Sequence, residues 1–254
     1  MGRIEIVQIM KDVYLLNDNN ESTAYVVVGS DKAVLIDTMN GYENVKTVVE
    51  SITSLPFVVV NTHGHCDHIC GNIYVKKAYI HPDDLPLAKE HIKFITESEG
   101  YRNSPEHPTP TEWKFILPGD VVDLGDTRLE VYGVPGHTKG SICLLDKKHR
   151  ILFSGDGIIP HIWMQLEESL SLPELINTLQ SLDVIKGEYD MILAGHSKAP
   201  ESADLPEQLK AAVQEILDGK TEEDKDYKYF GGIARTHFYD KKDLNKQIVY
   251  KIDL

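Results

Sequence analysis

The most chemically loaded stretch of this chain is Thr62-His63-Gly64-His65-Cys66-Asp67-His68, where three imidazoles and a carboxylate fall close together. It directly follows an apolar run, Phe57-Val58-Val59-Val60, so it stands at the end of a buried strand. On an extended segment alternate side chains share a face, which turns His63 and His65 to one side and lets both reach one metal ion. Asp67 and His68 come after the turn, where a new helix beginning near Ile69 could aim them at a second ion. Zinc accepts neutral imidazole and carboxylate ligands, and a catalytic zinc keeps a position open for water. A chance meeting of exposed histidines is a poor account of such density.

Three further residues sit in matching places: His137 in Pro135-Gly136-His137-Thr138, Asp156 in Phe153-Ser154-Gly155-Asp156-Gly157, and His196 in Ala194-Gly195-His196-Ser197. Each follows an apolar strand and lies among small residues. Any one alone reads as a turn residue. Four strand-end sites bearing His or Asp are hard to explain that way, because strand ends along one rim of a sheet are where distant segments converge.

The elements that must position these residues are legible from hydrophobic period and turn chemistry. Ile4–Ile9, Val13–Leu16, Ala24–Val28 and Ala33–Ile36 read as strands broken by Asn17-Asp18-Asn19-Asn20 and Gly29-Ser30-Asp31-Lys32. Val45, Val48, Val49 and Ile52 form one helix face that stops before Pro56. Residues 120–124, 128–132, 141–145 and 151–153 again read as strands. A helix starts at Ser171, which makes a capping box with Glu174 around Pro173. Met191–Ala194 is a second buried strand, and a helix spans Asp204–Asp218 with Gly219 as its cap. Both halves therefore run strands, helix, then a buried strand ending at a histidine. Residues 97–117 lie between them, rich in proline and without a period. They read equally as a linker or as a lid whose contact residues would be Tyr101 and Trp113.

Composition narrows the class of function. With 26 Lys+Arg against 40 Asp+Glu the formal net charge is −14, which repels phosphate backbones and anionic lipid, so no nucleic acid is expected as partner. No apolar run reaches membrane-span length, and no membrane association is expected. The Met1–Val7 start has neither the pattern of a signal peptide nor a myristoylation motif. Three cysteines are too few for a disulfide scaffold. A cytoplasmic protein acting on a small molecule is expected; a homo-oligomer is compatible with this and not specified by it.

Other residues weigh less. Cys66 and Cys70 flank the cluster but read as buried filler, as does Cys143. His161 and Trp163 follow Asp156 closely and could line a substrate pocket. His81, His91, His107 and His149 have no partner pattern and read as solvated. The tail tyrosines and Gln247–Ile252, which reads as a strand, are expected to pack against the core.

The ordered set His63-x-His65-x-Asp67-His68, His137, Asp156 and His196 resembles the metal-ligand set of the metallo-β-lactamase-fold hydrolase superfamily, over about residues 12–198. Asp37, in Leu35-Ile36-Asp37-Thr38, is similar to the buried aspartate that supports the ligand loop in that family. The resemblance implies an α+β fold, a four-layer αββα sandwich of two mixed sheets flanked by helices. It implies one domain over residues 1–254, with halves of about 1–96 and 118–254. By the family pattern His63, His65 and His137 hold a first metal, Asp67, His68 and His196 a second, and Asp156 bridges both. It further implies two zinc ions, with iron or manganese able to replace them, and a metal-bridging hydroxide that Asp67 could orient. The activity implied is hydrolysis of a small ester, thioester or lactone, in a glyoxalase II-like or lactonase-like branch. The alternatives are a mononuclear iron persulfide dioxygenase that uses only His63, His137 and Asp156, and a non-enzymatic metal-binding module.

Overall fold

β-Branched runs form strands where the period placed them. In the computed structural model, which describes residues 2–97 and 111–252, β1 (Ile4–Met10), β2 (Val13–Asp18), β3 (Ser22–Val28) and β4 (Ala33–Ile36) pair antiparallel. β5 (Phe57–Val60), β6 (Lys77–Ile80) and β7 (Glu112–Phe115) continue in parallel, giving a mixed seven-stranded sheet in chain order. The second sheet holds β8 (Val121–Asp123), β9 (Arg128–Gly133), β10 (Ile142–Asp146), β11 (Ile151–Gly155), β13 (Met191–Ala194) and β14 (Glu201–Ser202). It too is mixed, since β11 and β13 run parallel while its other neighbours are antiparallel.

The inner faces of the two sheets make one core, in which Val27, Ile36 and Val60 meet Leu129, Leu144 and Phe153. Burial of apolar area of this kind is the main force holding the layers together. Outside the first sheet, α1 (Val45–Ile52) buries Val45, Val48 and Val49, with the Asn44 side chain capping its first turn. Outside the second lie α4 (Leu172–Ser181) and α5 (Leu205–Leu217). Both halves of the Ser171–Glu174 capping box are present. The four layers are thus helix, sheet, sheet, helix, the αββα architecture.

Parallel pairing decides where the chemistry can lie. β4 and β5 point the same way, as do β11 and β13, so their carboxyl-terminal ends share one rim. Between these strands α2 (Cys66–Ile69) and α3 (Leu85–Thr96) pack on each other through Ile69, Ala88 and Cys70. The helix expected near Ile69 starts earlier, at Cys66, because His65 already occupies its N-cap position; Asp67 and His68 therefore sit inside its first turn.

Two further findings depart from the pattern. Glu112–Phe115 is the edge strand of the first sheet, and Trp113 packs against its hydrophobic clusters; Trp113 is a packing residue and has no place in a lid. Tyr101 and residues 98–110 lie outside the described residues. The tail adds a third sheet, in which β12 (His161–Met164) pairs with β17 (Gln247–Tyr250), followed by β16 (Gly232–Phe238) and β15 (Lys225–Tyr229).

The two main sheets are also joined by a polar tie. Tyr25 of β3 donates its phenol proton to the carbonyl of Ala194 at 2.6 Å, with its ring 5.5 Å from that of Phe153. Tyr25→Phe keeps the ring and removes the donor. It should lower stability by about 1–2 kcal/mol, read as a lower urea midpoint at unchanged slope.

Candidate metal centre

Every sequence-selected ligand arrives from a strand end on the shared rim. β5 runs into Asn61, Thr62 and His63; His137 lies in the loop between β9 and β10; Asp156 follows β11; His196 follows β13. The β11–β13 ladder shifts register between Phe153 and Gly155, a bulge that re-aims the chain as it delivers Asp156. Gly195 makes the approach feasible, because a Cβ there would stand 1.9 Å from Asp156 Oδ1.

The seven side chains form three overlapping groups, each able to hold a metal ion: His63, His65 and His137; His63, His68 and Asp156; and Asp67, His68 and His196. His65 Nδ1 lies 3.0 Å from His63 Nε2 and 2.9 Å from His137 Nε2. His196 Nε2 lies 3.2 Å from both Asp67 Oδ2 and Asp156 Oδ2.

Each imidazole has one nitrogen turned inward and the other engaged outside. His63 Nδ1 is 3.1 Å from Thr62 Oγ1, and His65 Nε2 is 2.5 Å from Glu168. His68 Nδ1 donates to Asp37 at 2.8 Å, His137 Nδ1 to the Trp163 carbonyl at 2.7 Å, and His196 Nδ1 to the Glu21 carbonyl at 2.9 Å. Outer bonds of this kind set the tautomer and aim a lone pair inward, which is what a metal requires. Two buried atoms, His68 Nε2 and Asp156 Oδ1, have no hydrogen-bond partner. Burial without a partner is costly, and a cation between them would supply one. The donor set therefore fits metal binding.

Charge divides the site. Burial, with the neighbouring His68 and His65, holds His63 well below the ordinary histidine range. Burial and His65 push His137 down to about 4. Across the site burial again opposes charge, but the carboxylates of Asp156, Asp37 and Asp67 outweigh it and raise His68 well above its usual value. His196 is raised to about 10 against burial by Asp156 and Asp67. Asp67 and Asp156 stay ionised despite burial because His68 and His196 face them. One side thus holds the neutral imidazoles of His63 and His137, and the other pairs carboxylates with the protonated imidazoles of His68 and His196. Burial raises the Cys66 and Cys70 thiols, which agrees with their reading as filler.

The model of the metallo-beta-lactamase superfamily matches residues 18–214. The chain belongs to that superfamily. Acyl-coenzyme A thioesterase MBLAC2 of Homo sapiens is 30% identical over 205 residues, covering 70% of this chain and 73% of that protein. A hydroxyacylglutathione hydrolase of Francisella philomiragia is 28% identical over 144 residues, 56% of this chain and 50% of that protein. Among solved structures, a metallo-beta-lactamase from Pontibacter korlensis superposes with TM-score 0.63 at 21% identity, over 83% of this chain and 99% of that one; this last match concerns the fold alone. The superfamily reading of the motifs is borne out, and with it a metal-dependent hydrolase.

Several residues around this superfamily site escaped the sequence pattern. Asp84 is 2% exposed and splints two ligand loops. It accepts from Gly64 N at 2.8 Å on the His63–His65 loop, and from Thr138 Oγ1 at 2.7 Å and Gly140 N at 2.6 Å on the His137 loop. Glu168, on His65, is the second. His91, expected in solvent, stacks on His65 at 5.6 Å, because α3 packs against the ligand loop. His149, also expected in solvent, is tied to Asp146 at 2.6 Å. His107 lies outside the described residues. His161 and Trp163 stand together on β12, where Trp163 Nε1 donates to His161 Nε2 at 3.2 Å.

Asp84 accepts from three donors, so Asp84→Asn turns an acceptor into a donor facing another donor. The loops bearing His63, His65 and His137 should then separate. Metal analysis should show less bound metal than in the wild type, since Asp84 holds together the loops that carry His63, His65 and His137.

Proposed function

We propose that this chain hydrolyses a small acyl thioester, or a related ester or lactone, at a dinuclear zinc centre held by His63, His65, Asp67, His68, His137, Asp156 and His196. The observation that carries the reading is the inward convergence of two carboxylates with five imidazoles, each imidazole already bonded through its outer nitrogen. The groups separate naturally into His63, His65, His137 and Asp67, His68, His196, with Asp156 within reach of both. When bound, a pair of ions acidifies a water between them and polarises a substrate carbonyl.

The chain's own residues supply the rest. Asp67 is held ionised by His68 and His196 and its side chain is 29% exposed, beside His196 at 33%, so it can accept a hydrogen bond from a water at the open side of the site and orient it. That openness supports a catalytic site over a closed structural one. Asp37 holds His68 in orientation, and Glu168 does the same for His65. His161 is lowered to about 4 by burial and by His196. A neutral imidazole that accepts from Trp163 leaves its Nδ1–H free to orient a substrate oxygen.

The curated thioesterase and hydroxyacylglutathione hydrolase relatives support a thioester, which their names state as their own substrate class. The position of His65 Nδ1 between His63 and His137 supports its inclusion among the ligands, against the dioxygenase arrangement that leaves it out. The core shared by both sheets supports a single domain over 1–254. Three free cysteines support a reducing compartment such as the cytoplasm, and among the described residues no helix is long and apolar enough to cross a membrane.

Protein purified without added metal should carry about two zinc ions per chain. Chelation should abolish hydrolysis of acyl thioesters, and added zinc should restore it. One iron per chain, with oxygen uptake on a persulfide, would overturn the proposal in favour of the dioxygenase.

A further inference from the structure

β12 alternates sharply. Ile162 and Met164 are buried in the core while His161 and Trp163 turn the other way. The backbone carbonyl that accepts from the candidate ligand His137 belongs to Trp163, so this strand is bonded directly to the metal centre. Against its outward side chains stand rings from the tail hairpin. The Tyr227 ring lies 5.6 Å from His161 and 6.0 Å from Trp163, and Tyr229 and Phe230 lie 6.4 and 6.1 Å from Trp163. Tyr229 and Phe230 are 5.5 Å apart. The turn that carries them, Tyr229-Phe230-Gly231-Gly232, places Phe230 87% exposed, where hairpin turns ordinarily carry polar or glycine residues.

We infer that Trp163, Tyr227, Tyr229 and Phe230 form an acyl-binding wall that takes the hydrocarbon part of a thioester while His161 and the metal centre address its carbonyl. The inference rests on the thioesterase reading and adds to it the part of the substrate that sets specificity. The wall is made of ring faces and edges, and its one indole N–H is already given to His161. Lys225, on the same strand face as Tyr227, has its ammonium over the Phe238 ring at 5.7 Å. In a thioester of a polar carrier thiol the acyl chain is the apolar half, and it is the half such a surface can desolvate. Position agrees with this assignment, because the rings cluster on the strand whose Trp163 carbonyl accepts from His137. The hairpin strands β15 and β16 lie beyond residue 214, where the superfamily match ends.

The test uses acetyl, butyryl, hexanoyl and octanoyl thioesters of N-acetylcysteamine with the zinc-loaded full chain. Wild-type kcat/KM should climb with length, by up to about fourfold per methylene. Phe230→Ala, at a position too exposed to threaten folding, and Trp163→Ala should each cut the octanoyl-to-acetyl ratio about tenfold, chiefly through KM. Zinc content should stay at the wild-type level. A non-hydrolysable octyl thioether of the same thiol should change tryptophan fluorescence, with affinity weakened about tenfold by Phe230→Ala. A wild-type profile flat with length, or variants that keep the wild-type slope, overturns the wall while leaving the thioesterase intact. No cleavage at any length overturns both. If Phe230→Ala instead converts a dimer to a monomer in sedimentation and leaves the slope alone, the rings seat a second copy and the wall is overturned.

Discussion

The carboxylate of Asp37 is the constraint on which the site depends. It accepts from Thr62 N and Thr62 Oγ1, both at 2.7 Å, and from His68 Nδ1 at 2.8 Å. One side chain thus fixes the start of the ligand loop and the tautomer of a histidine six residues further on. Asp37 itself holds φ at +63°, a conformation that costs about 1–3 kcal/mol for a residue with a Cβ. Three hydrogen bonds to a charged acceptor, each worth about 1.5–3 kcal/mol, more than offset that strain. The geometry survives because the bonds it permits outweigh the backbone conformation it requires.

The same logic runs through the rest of the centre. Nitrogen lone pairs do not converge unaided, so each imidazole is pinned from outside: by Thr62, Glu168, Asp37, and the carbonyls of Trp163 and Glu21. His196 also stands in the left-handed region, at φ +59°, immediately after the glycine whose missing side chain admits Asp156. On the acidic side the imidazolium protons of His68 and His196 offset two of the three charges carried by Asp67, Asp156 and Asp37. A divalent ion there would take over a charge balance already built into the fold, and the histidine-only side would receive its ion without displacing charge.

How much of this the sequence discloses depends on how local each signal is. The candidate ligands are legible because a dense motif and three small-residue turns follow apolar strands, and Asp37 because it ends one. The core strands and three of the helices are legible from their period, as Ser171 and Glu174 show at the start of α4. Asp84 and Glu168 are not, since each looks like an ordinary surface acid, and only tertiary folding brings Asp84 between two loops or Glu168 onto His65. Strands β6, β7 and β12 place charged or polar residues within their four-residue spans (Lys77, Glu112 and Lys114, His161) and lack the unbroken apolar run that reveals β4, β5 and β13 at the same length, and α3 opens with Leu85-Pro86-Leu87, which masks its face. The pairing of β12 with β17 joins segments more than eighty residues apart (His161 with Gln247), a register no local pattern encodes.

That long-range pairing separates two jobs within one fold. Residues 18–214 match the superfamily and contain every candidate ligand together with Asp37, Asp84 and Glu168. Strands β15, β16 and β17 lie wholly beyond that span, yet they reach the centre because β17 zips onto β12, whose Trp163 carbonyl holds His137. The anchor is polar as well as apolar: Tyr239 Oη donates to the Pro160 carbonyl at 2.8 Å, and His237 Nδ1 lies 2.8 Å from Asp224. A sheet tied down this way can change its exposed rings without disturbing His137, because the bond that aims His137 runs to a backbone carbonyl of β12 and not to a side chain. Chemistry is therefore fixed by the rim of the sandwich, and substrate choice is delegated to a tail that the rim only has to hold in place.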